Sequence, residues 1–255
     1  VLTDKLAQCI SEFAADLSRG ASDNESGIQL KAPVESITLV PRPADSGEHP
    51  EWRIHTGNGR TLEADAVCLA LPAYSSARLI RGVHQKLASE LDEISYASSV
   101  TINLAYKRDD IPHPLNGFGF VVPFIEKRSL IACTFSSVKF AGRAPQGYAL
   151  LRVFAGGALQ PEMFQLSEDE LVRRVRGDLR DLLAIERTPL FAEVSKWKQS
   201  MPQYHVGHLE RVRRIEACVA GLPRLVLAGN AYSGLGIPDC IRSGEAAADF
   251  LAALD

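Results

Sequence analysis

The sequence predicts a mixed α/β or α+β fold built as two interleaved subdomains. Three observations carry that expectation. Short β-rich runs and amphipathic helical stretches both recur along 255 residues. They recur without a strict β-α-β alternation, which argues against one simple doubly wound sheet. The chain is also long enough, at 46% apolar and 23% charged residues, to bury a substantial core as one large domain or two small ones.

The elements follow in order. VLTDKLAQCISEFAADL (1–17) is helical: Leu2, Leu6, Cys9, Ile10, Phe13 and Leu17 recur at three- and four-residue steps, leaving Asp4, Lys5, Glu12 and Asp16 outward. It opens without Met and already reads as mid-helix, so the chain is expected to be cut from a longer one. A polar loop, SRGASDNESG, leads into strands PVESITLV (33–40), EWRIHT (51–56) and ADAVCLALP (64–72). PRPADSGEHP connects the first two, and TGNGR reads as a tight hairpin turn between the second and third. Residues 75–95 return to helix through Leu79, Leu87, Leu91 and Ile94. Four strands follow at 99–107, 117–123, 129–137 and 148–157. SEDELVRRVRGDLRDLLAIE (167–186) is an amphipathic helix with Ser167 as N-cap, Glu170 completing a capping box, and a Leu171, Val175, Leu179, Leu182 stripe. Then come FAEVSKWKQ (191–199), a helix at 205–220, the strand RLVLAG (224–229) and a last helix from Pro238.

A net charge of −3 offers no pull toward nucleic acid, and the arginines of RRVRGDLR (173–180) alternate with acids on a solvated face. The five cysteines are scattered and form no CxxC pair, which predicts neither a disulfide framework nor a zinc site and fits a reducing cytoplasmic compartment. No apolar run is long enough to span a bilayer. His205 and His208 lack an evident third ligand, so no metal site is expected.

The stretch AGNAYSGLGIPDCIRSGEAAA (228–248) holds the strongest chemical signal. A buried strand ends at Gly229, Gly234 and Gly236 permit positive φ or close backbone approach, and Pro238 suits a first helical turn. Free N–H groups at such a helix start favour a phosphate or a delocalised anion. A tight turn with no ligand is the competing reading. Gly244 and the neighbouring alanines are expected to pack closely on a sheet.

GNAYSGLGIPDCIRSGEAAA (229–248), KWKQSMPQYHVGH (196–208) and GFGFVVPFIEKRSLIACTFSSVKFAGRAP (117–145) resemble, in order and spacing, the oxygen-dependent protoporphyrinogen oxidases. The resemblance implies part of an FAD-binding Rossmann-like domain at 1–80 and 221–255, interleaved with a mixed-sheet substrate-binding domain at 81–220. The GxGxxG turn with which the family grips the pyrophosphate is absent from this sequence, so the chain reads as the C-terminal portion of a family member. It implies FAD contacts from Leu235, Gly236 and Ile237, whose amides would face the N1/O2 edge of the flavin, with Asn230 nearby. Val34 falls where the family has a backbone contact to adenine, and Trp197 where a tryptophan lies against the flavin. Phe118, Val121 and Ile131 would line the pocket for a bulky apolar tetrapyrrole; for each, ordinary sheet core is the alternative. Lys139 and Arg143 could meet substrate propionates or simply form a solvated loop.

What the resemblance implies for the intact protein is oxidation of protoporphyrinogen IX to protoporphyrin IX, with hydride moving to flavin N5 and oxygen as final acceptor. No side-chain acid or base is nominated, because the flavin carries the difficult chemistry. Coproporphyrinogen III is an alternative substrate. A flavin amine oxidase or carotenoid desaturase shares the last turn but not PQYHVGH, and a non-catalytic porphyrin- or partner-binding piece is a rival of another kind. The chain alone is expected to retain no FAD and no oxidase activity, to self-associate through surface left exposed, and, in the manner of the family, to admit peripheral membrane association.

Overall fold

The computed structural model describes residues 2–18, 27–41 and 51–254. Helix α1 (Leu2–Ser18) leads into a three-stranded antiparallel sheet of β1 (Val34–Val40), β2 (Glu51–Thr56) and β3 (Thr61–Ala64), in that order. The turn at TGNGR forms as expected, with Thr56 N–H donating to the Arg60 carbonyl (3.0 Å), Gly59 N–H to the Thr56 carbonyl (2.9 Å) and Gly59 at φ +82°, but the strand it returns into is Thr61–Ala64 and not the expected 64–72. Strand β4 (Val67–Leu69) pairs in parallel with the distant β10 (Leu225–Leu227), forming a two-stranded sheet.

The helical pattern at 75–95 resolves into two helices, α2 (Ala73–Ile80) and α3 (Gln85–Asp92). The break has a local cause. His84 turns extended (φ −147°) and its Nδ1 accepts the Leu87 N–H at 3.0 Å, so an imidazole does the work usually given to Ser or Asp at an N-cap.

Strands β5 (Tyr96–Lys107), β6 (Gly119–Val121), β7 (Leu130–Phe135), β8 (Tyr148–Gly156) and β9 (Phe191–Pro202) form an antiparallel sheet in the order β6-β7-β8-β5-β9. A single turn of helix, α4 (Ser136–Lys139), follows β7. Period-two alternation along β5 sends Val100, Ile102, Leu104 and Tyr106 to one face, where Leu171, Val175 and Leu179 of α5 (Glu168–Leu183) cover them in one core. Ser167 caps α5 by accepting the Glu170 N–H (3.3 Å). The reciprocal half of the expected capping box does not form, because the Glu170 carboxylate is engaged by Arg173 and Arg174.

A second core gathers the three-stranded sheet, β4, α2, α3 and α6 (His208–Val219) around Trp52, which is fully buried and donates its indole N–H to the Pro223 carbonyl (2.9 Å). Helix α6 starts at His208 rather than 205, since Gly207 just before it has φ +90° and cannot continue a right-handed helix. The last helix, α7 (Ile237–Ala252), buries only Ala247 among its residues. Gly244 has open space where a Cβ would sit, which corrects the expectation of close packing there. In α1 the stripe is likewise uncovered at Leu6 and Ile10, both about half exposed; Phe13 and Leu17 lie outside the described side chains. Among the described residues no helix is long and apolar enough to cross a membrane.

Candidate functional site

The face of the five-stranded sheet opposite α5 is open. Ser99 and Thr101 of β5, Phe154 of β8, Val121 of β6, Ile131 of β7 and Trp197 of β9 line a cleft of about 670 Å³ across it, a volume in the range of small-molecule sites. The same alternation that buries Val100 and Ile102 turns Ser99 and Thr101 into this space. Thr101 holds Trp197 by accepting the indole N–H at 3.0 Å, which fixes a side chain that is otherwise half exposed. Gly156 and Gly157, at φ +82° and +79°, turn β8 out of the sheet and form part of the wall.

The lining is apolar apart from a few groups. Arg128 is the one basic side chain among the described lining residues. Its charge is already met by Asp181 (2.7 Å) and Asp178 (3.6 Å), and the Arg128 guanidinium holds the Asp181 carboxyl below the ordinary aspartate value. Asp178 also accepts the Ser129 and Leu130 N–H groups, so the pair anchors the start of β7. Buried Gln160 donates to the Arg128 carbonyl.

Of the three residues expected to line a substrate pocket, Val121 and Ile131 do line the cleft, and Trp197 joins them there. Phe118 does not: it precedes β6 and is 66% exposed. Lys139 and Arg143 are also outside the cleft, arranged around the Phe140 ring at 5.4 and 5.8 Å. Val34 opens β1, partly buried against the Trp52 core.

The terminal turn is well defined. Gly229 (φ +118°) donates its N–H to Ser243 Oγ (3.0 Å), and Gly234 (φ +132°) donates to the Tyr204 hydroxyl (2.9 Å). The Gly236 N–H, expected to face a flavin, is taken by Asp239 Oδ2 at 3.0 Å, and Asp239 in turn pairs with Arg242. The N–H groups of Leu235 and Ile237 have no protein acceptor among the described residues, and both side chains are exposed. Asn230 offers its carbonyl to Tyr204.

Cleft and turn are joined by one short segment. Met201 and Gln203 stand in the cleft wall, and the next residue, Tyr204, grips the turn. Burial pushes the Tyr204 phenol up, against the opposing pull of the Gly234 N–H. His208 stacks on Tyr204, with ring centroids 3.9 Å apart, and its Nε2 lies 3.0 Å from the Tyr232 carbonyl; His205 Nε2 meets Ser95 Oγ at 2.9 Å.

A flavin fits this donor set. Two unpaired amides open a sixteen-residue helix, apolar side chains flank them, and the nearby Asp239 carboxylate has its charge matched by Arg242. Sequence reasoning missed Phe154, Thr101, Met201 and Tyr204. The polar alternation Ser99, Thr101, Asn103 within an otherwise buried strand was the available signal for the open face.

The chain is 32% identical over 197 residues to a coproporphyrinogen III oxidase of Bacillus subtilis, covering 77% of this chain and 42% of that protein. It is 30% identical over 191 residues to a chloroplastic protoporphyrinogen oxidase of Nicotiana tabacum, covering 71% and 35%. A solved structure from Exiguobacterium sp. 255-15, provisionally named a protoporphyrinogen oxidase, superposes with a TM-score of 0.74 at 26% identity, over 96% of this chain and 50% of that one. The chain thus spans half or less of the length of these relatives. The profile of the flavin containing amine oxidoreductases matches residues 4–251, and the chain belongs to that family.

Proposed function

We propose that this chain forms the substrate cleft and one flavin-facing turn of an FAD-dependent porphyrinogen oxidase. The observation that carries the reading is the continuity of an apolar cleft with an amide-bearing helix start through residues 201–204. FAD, when bound, supplies the hydride acceptor. The chain's own residues bind and orient. Leu235 and Ile237 offer N–H groups to the electron-rich ring edge, Trp197 offers an aromatic face, and Val121, Ile131 and Phe154 exclude water around a bulky tetrapyrrole. Asn230 and Gly236 shape the turn, and Val34 lies toward the adenine side. Oxygen is the final acceptor in this reading.

The core around Trp52 supports assigning 1–80 and 221–255 to an FAD-binding domain, with α3 and α6 counted in the same unit. The core beneath α5, from Val100 to Ile185, supports a substrate-binding domain within 81–220. A two-stranded parallel sheet with an uncovered α7 is what a partial dinucleotide-binding domain leaves visible.

Protoporphyrinogen IX is the first substrate proposed, because the cleft is apolar and its one basic side chain is already paired. Coproporphyrinogen III is the second reading, favoured by the 32% identity to the Bacillus subtilis enzyme. Assaying the full-length protein with FAD on each porphyrinogen, and comparing kcat/KM, separates them. Oxidation of neither substrate by a flavin-loaded protein refutes the proposal. The 255-residue chain alone is expected to bind no stoichiometric FAD; a yellow one-to-one complex overturns that part.

A further inference from the structure

The segment PQYHVGH holds the terminal turn at three backbone positions, and no side chain of the turn takes part in any of the three bonds. The Tyr204 hydroxyl is a bridge: it donates to the Asn230 carbonyl at 2.8 Å and accepts from the Gly234 N–H at 2.9 Å. A carbonyl can only accept, so the 3.0 Å contact between His208 Nε2 and the Tyr232 oxygen requires the proton on Nε2. The two rings stack within 12° of parallel, so each fixes the plane of the other. Alternate residues 230, 232 and 234 are thereby pinned from one side.

The turn needs an external brace. Gly229 and Gly234 both hold positive φ and contribute no side chain that could order it, and glycine loses more chain entropy on ordering than other residues. One and three residues beyond the bridge stand the amides of Leu235 and Ile237, without an acceptor among the described residues. Donors aimed at a ring edge are effective only when their direction is fixed before the ring arrives.

We propose that Tyr204, braced by His208, is a positioning residue that aims the Leu235 and Ile237 amides and so sets flavin affinity and potential. This rests on the reading that a flavin lies at the turn. With the bridge removed, the turn gains conformations in which those amides point elsewhere. FAD then binds less tightly, and its reduced, negatively charged form loses more stabilisation than its oxidised form.

The test uses full-length protein and Tyr204→Phe, which keeps the stacked ring and removes one oxygen. In flavin-free protein, hydrogen exchange at Gly234 should accelerate at least tenfold. With FAD added, Kd should rise about tenfold, as expected for losing a bridge of two hydrogen bonds, and the midpoint potential should become more negative. His208→Phe, which keeps a stacking ring but loses the Nε2–H donor, should move exchange and potential in the same direction by less, and serves where Tyr204→Phe does not fold. Faster exchange with unchanged FAD affinity and potential overturns the positioning role while leaving the flavin reading intact. Unchanged exchange at Gly234 overturns the bridge itself. Failure of the wild-type protein to bind FAD sinks the flavin reading and this role with it.

Discussion

Replacing Gly234 with alanine probes the terminal turn with a magnitude the geometry supplies. A Cβ at Gly234 would lie 2.4 Å from Cγ and 2.6 Å from Cβ and Oδ2 of Asp239, far inside van der Waals contact. The backbone there has φ +132°, a region alanine resists at a cost of about 1–3 kcal/mol. The displaced carboxylate also releases the Gly236 N–H that it accepts at 3.0 Å. A hydrogen bond to a charged group contributes about 1.5–3 kcal/mol, and the lower end applies because the Asp239 side chain is 30% exposed. Reduced entropy of the unfolded chain offsets about 0.4–1 kcal/mol. The net expectation is a loss of about 1.5–4 kcal/mol. Gly244→Ala is the paired control in the same motif. It lies within α7 and an added Cβ meets nothing within 4 Å, so it should gain about 0.5–1 kcal/mol. Urea unfolding of the 255-residue chain reads both as shifts in midpoint at constant m. A Gly234→Ala midpoint indistinguishable from the parent, or a Gly244→Ala midpoint below it, refutes the contact geometry assigned to this turn.

Other perturbations reach the rest of the molecule. Ser167→Ala removes the α5 cap and should cost about 1 kcal/mol by thermal or urea unfolding. Trp52 is fully buried and Trp197 half exposed, so Trp197→Phe should leave a narrower, blue-shifted emission, and in full-length protein should reduce the quenching caused by added FAD. Glu90 bridges α3 to α6 through two bonds to Arg214 (2.8 and 3.0 Å), which hold its carboxyl below its ordinary value of 4.5. A depressed carboxyl stabilises above its unfolded pKa and loses that contribution as pH falls, so stability should decline below about pH 4.5, less steeply in Glu90→Gln. Burial pushes the Cys133 thiol up to about 12, so at pH 8 thiol reagents should modify exposed Cys9 and Cys68 and spare Cys133 until the chain unfolds.

The parts of this structure legible in the sequence were those governed by local periodicity. The α5 stripe, the β2–β3 turn and the alternation of β5 all arise between residues a few positions apart and appear near where their patterns predict them, except that the last α5 position buried is Leu183 and Leu182 is exposed. Boundaries failed where an unusual local group decided them. No helix-start rule anticipates an imidazole cap, so the break at His84 was invisible. The site was legible as motifs but not as an arrangement. Val121, Ile131 and Trp197 share one cleft because β9 pairs with β5 and β7 with β8, and strand order is not written in any one strand. Tyr204 stood in a quoted motif without a role, since its partners Asn230 and Gly234 lie 26 and 30 residues away.

The indole of Trp52 and the carbonyl of Pro223 meet across 171 residues of chain, beside the only parallel pair of strands described. Every strand of the five-stranded sheet lies between those two ends. Closing so long a loop before its contacts form is entropically uphill, whereas the pairings of the five-stranded sheet close shorter loops, the longest being that of β5 with β9, where Tyr96 faces Pro202. The inserted half should therefore acquire protection first during refolding, with the seam at β4 and β10 knitting last. A pulse-labelling experiment that follows Val67 and Leu225 against Val100 and Leu151 would time that order.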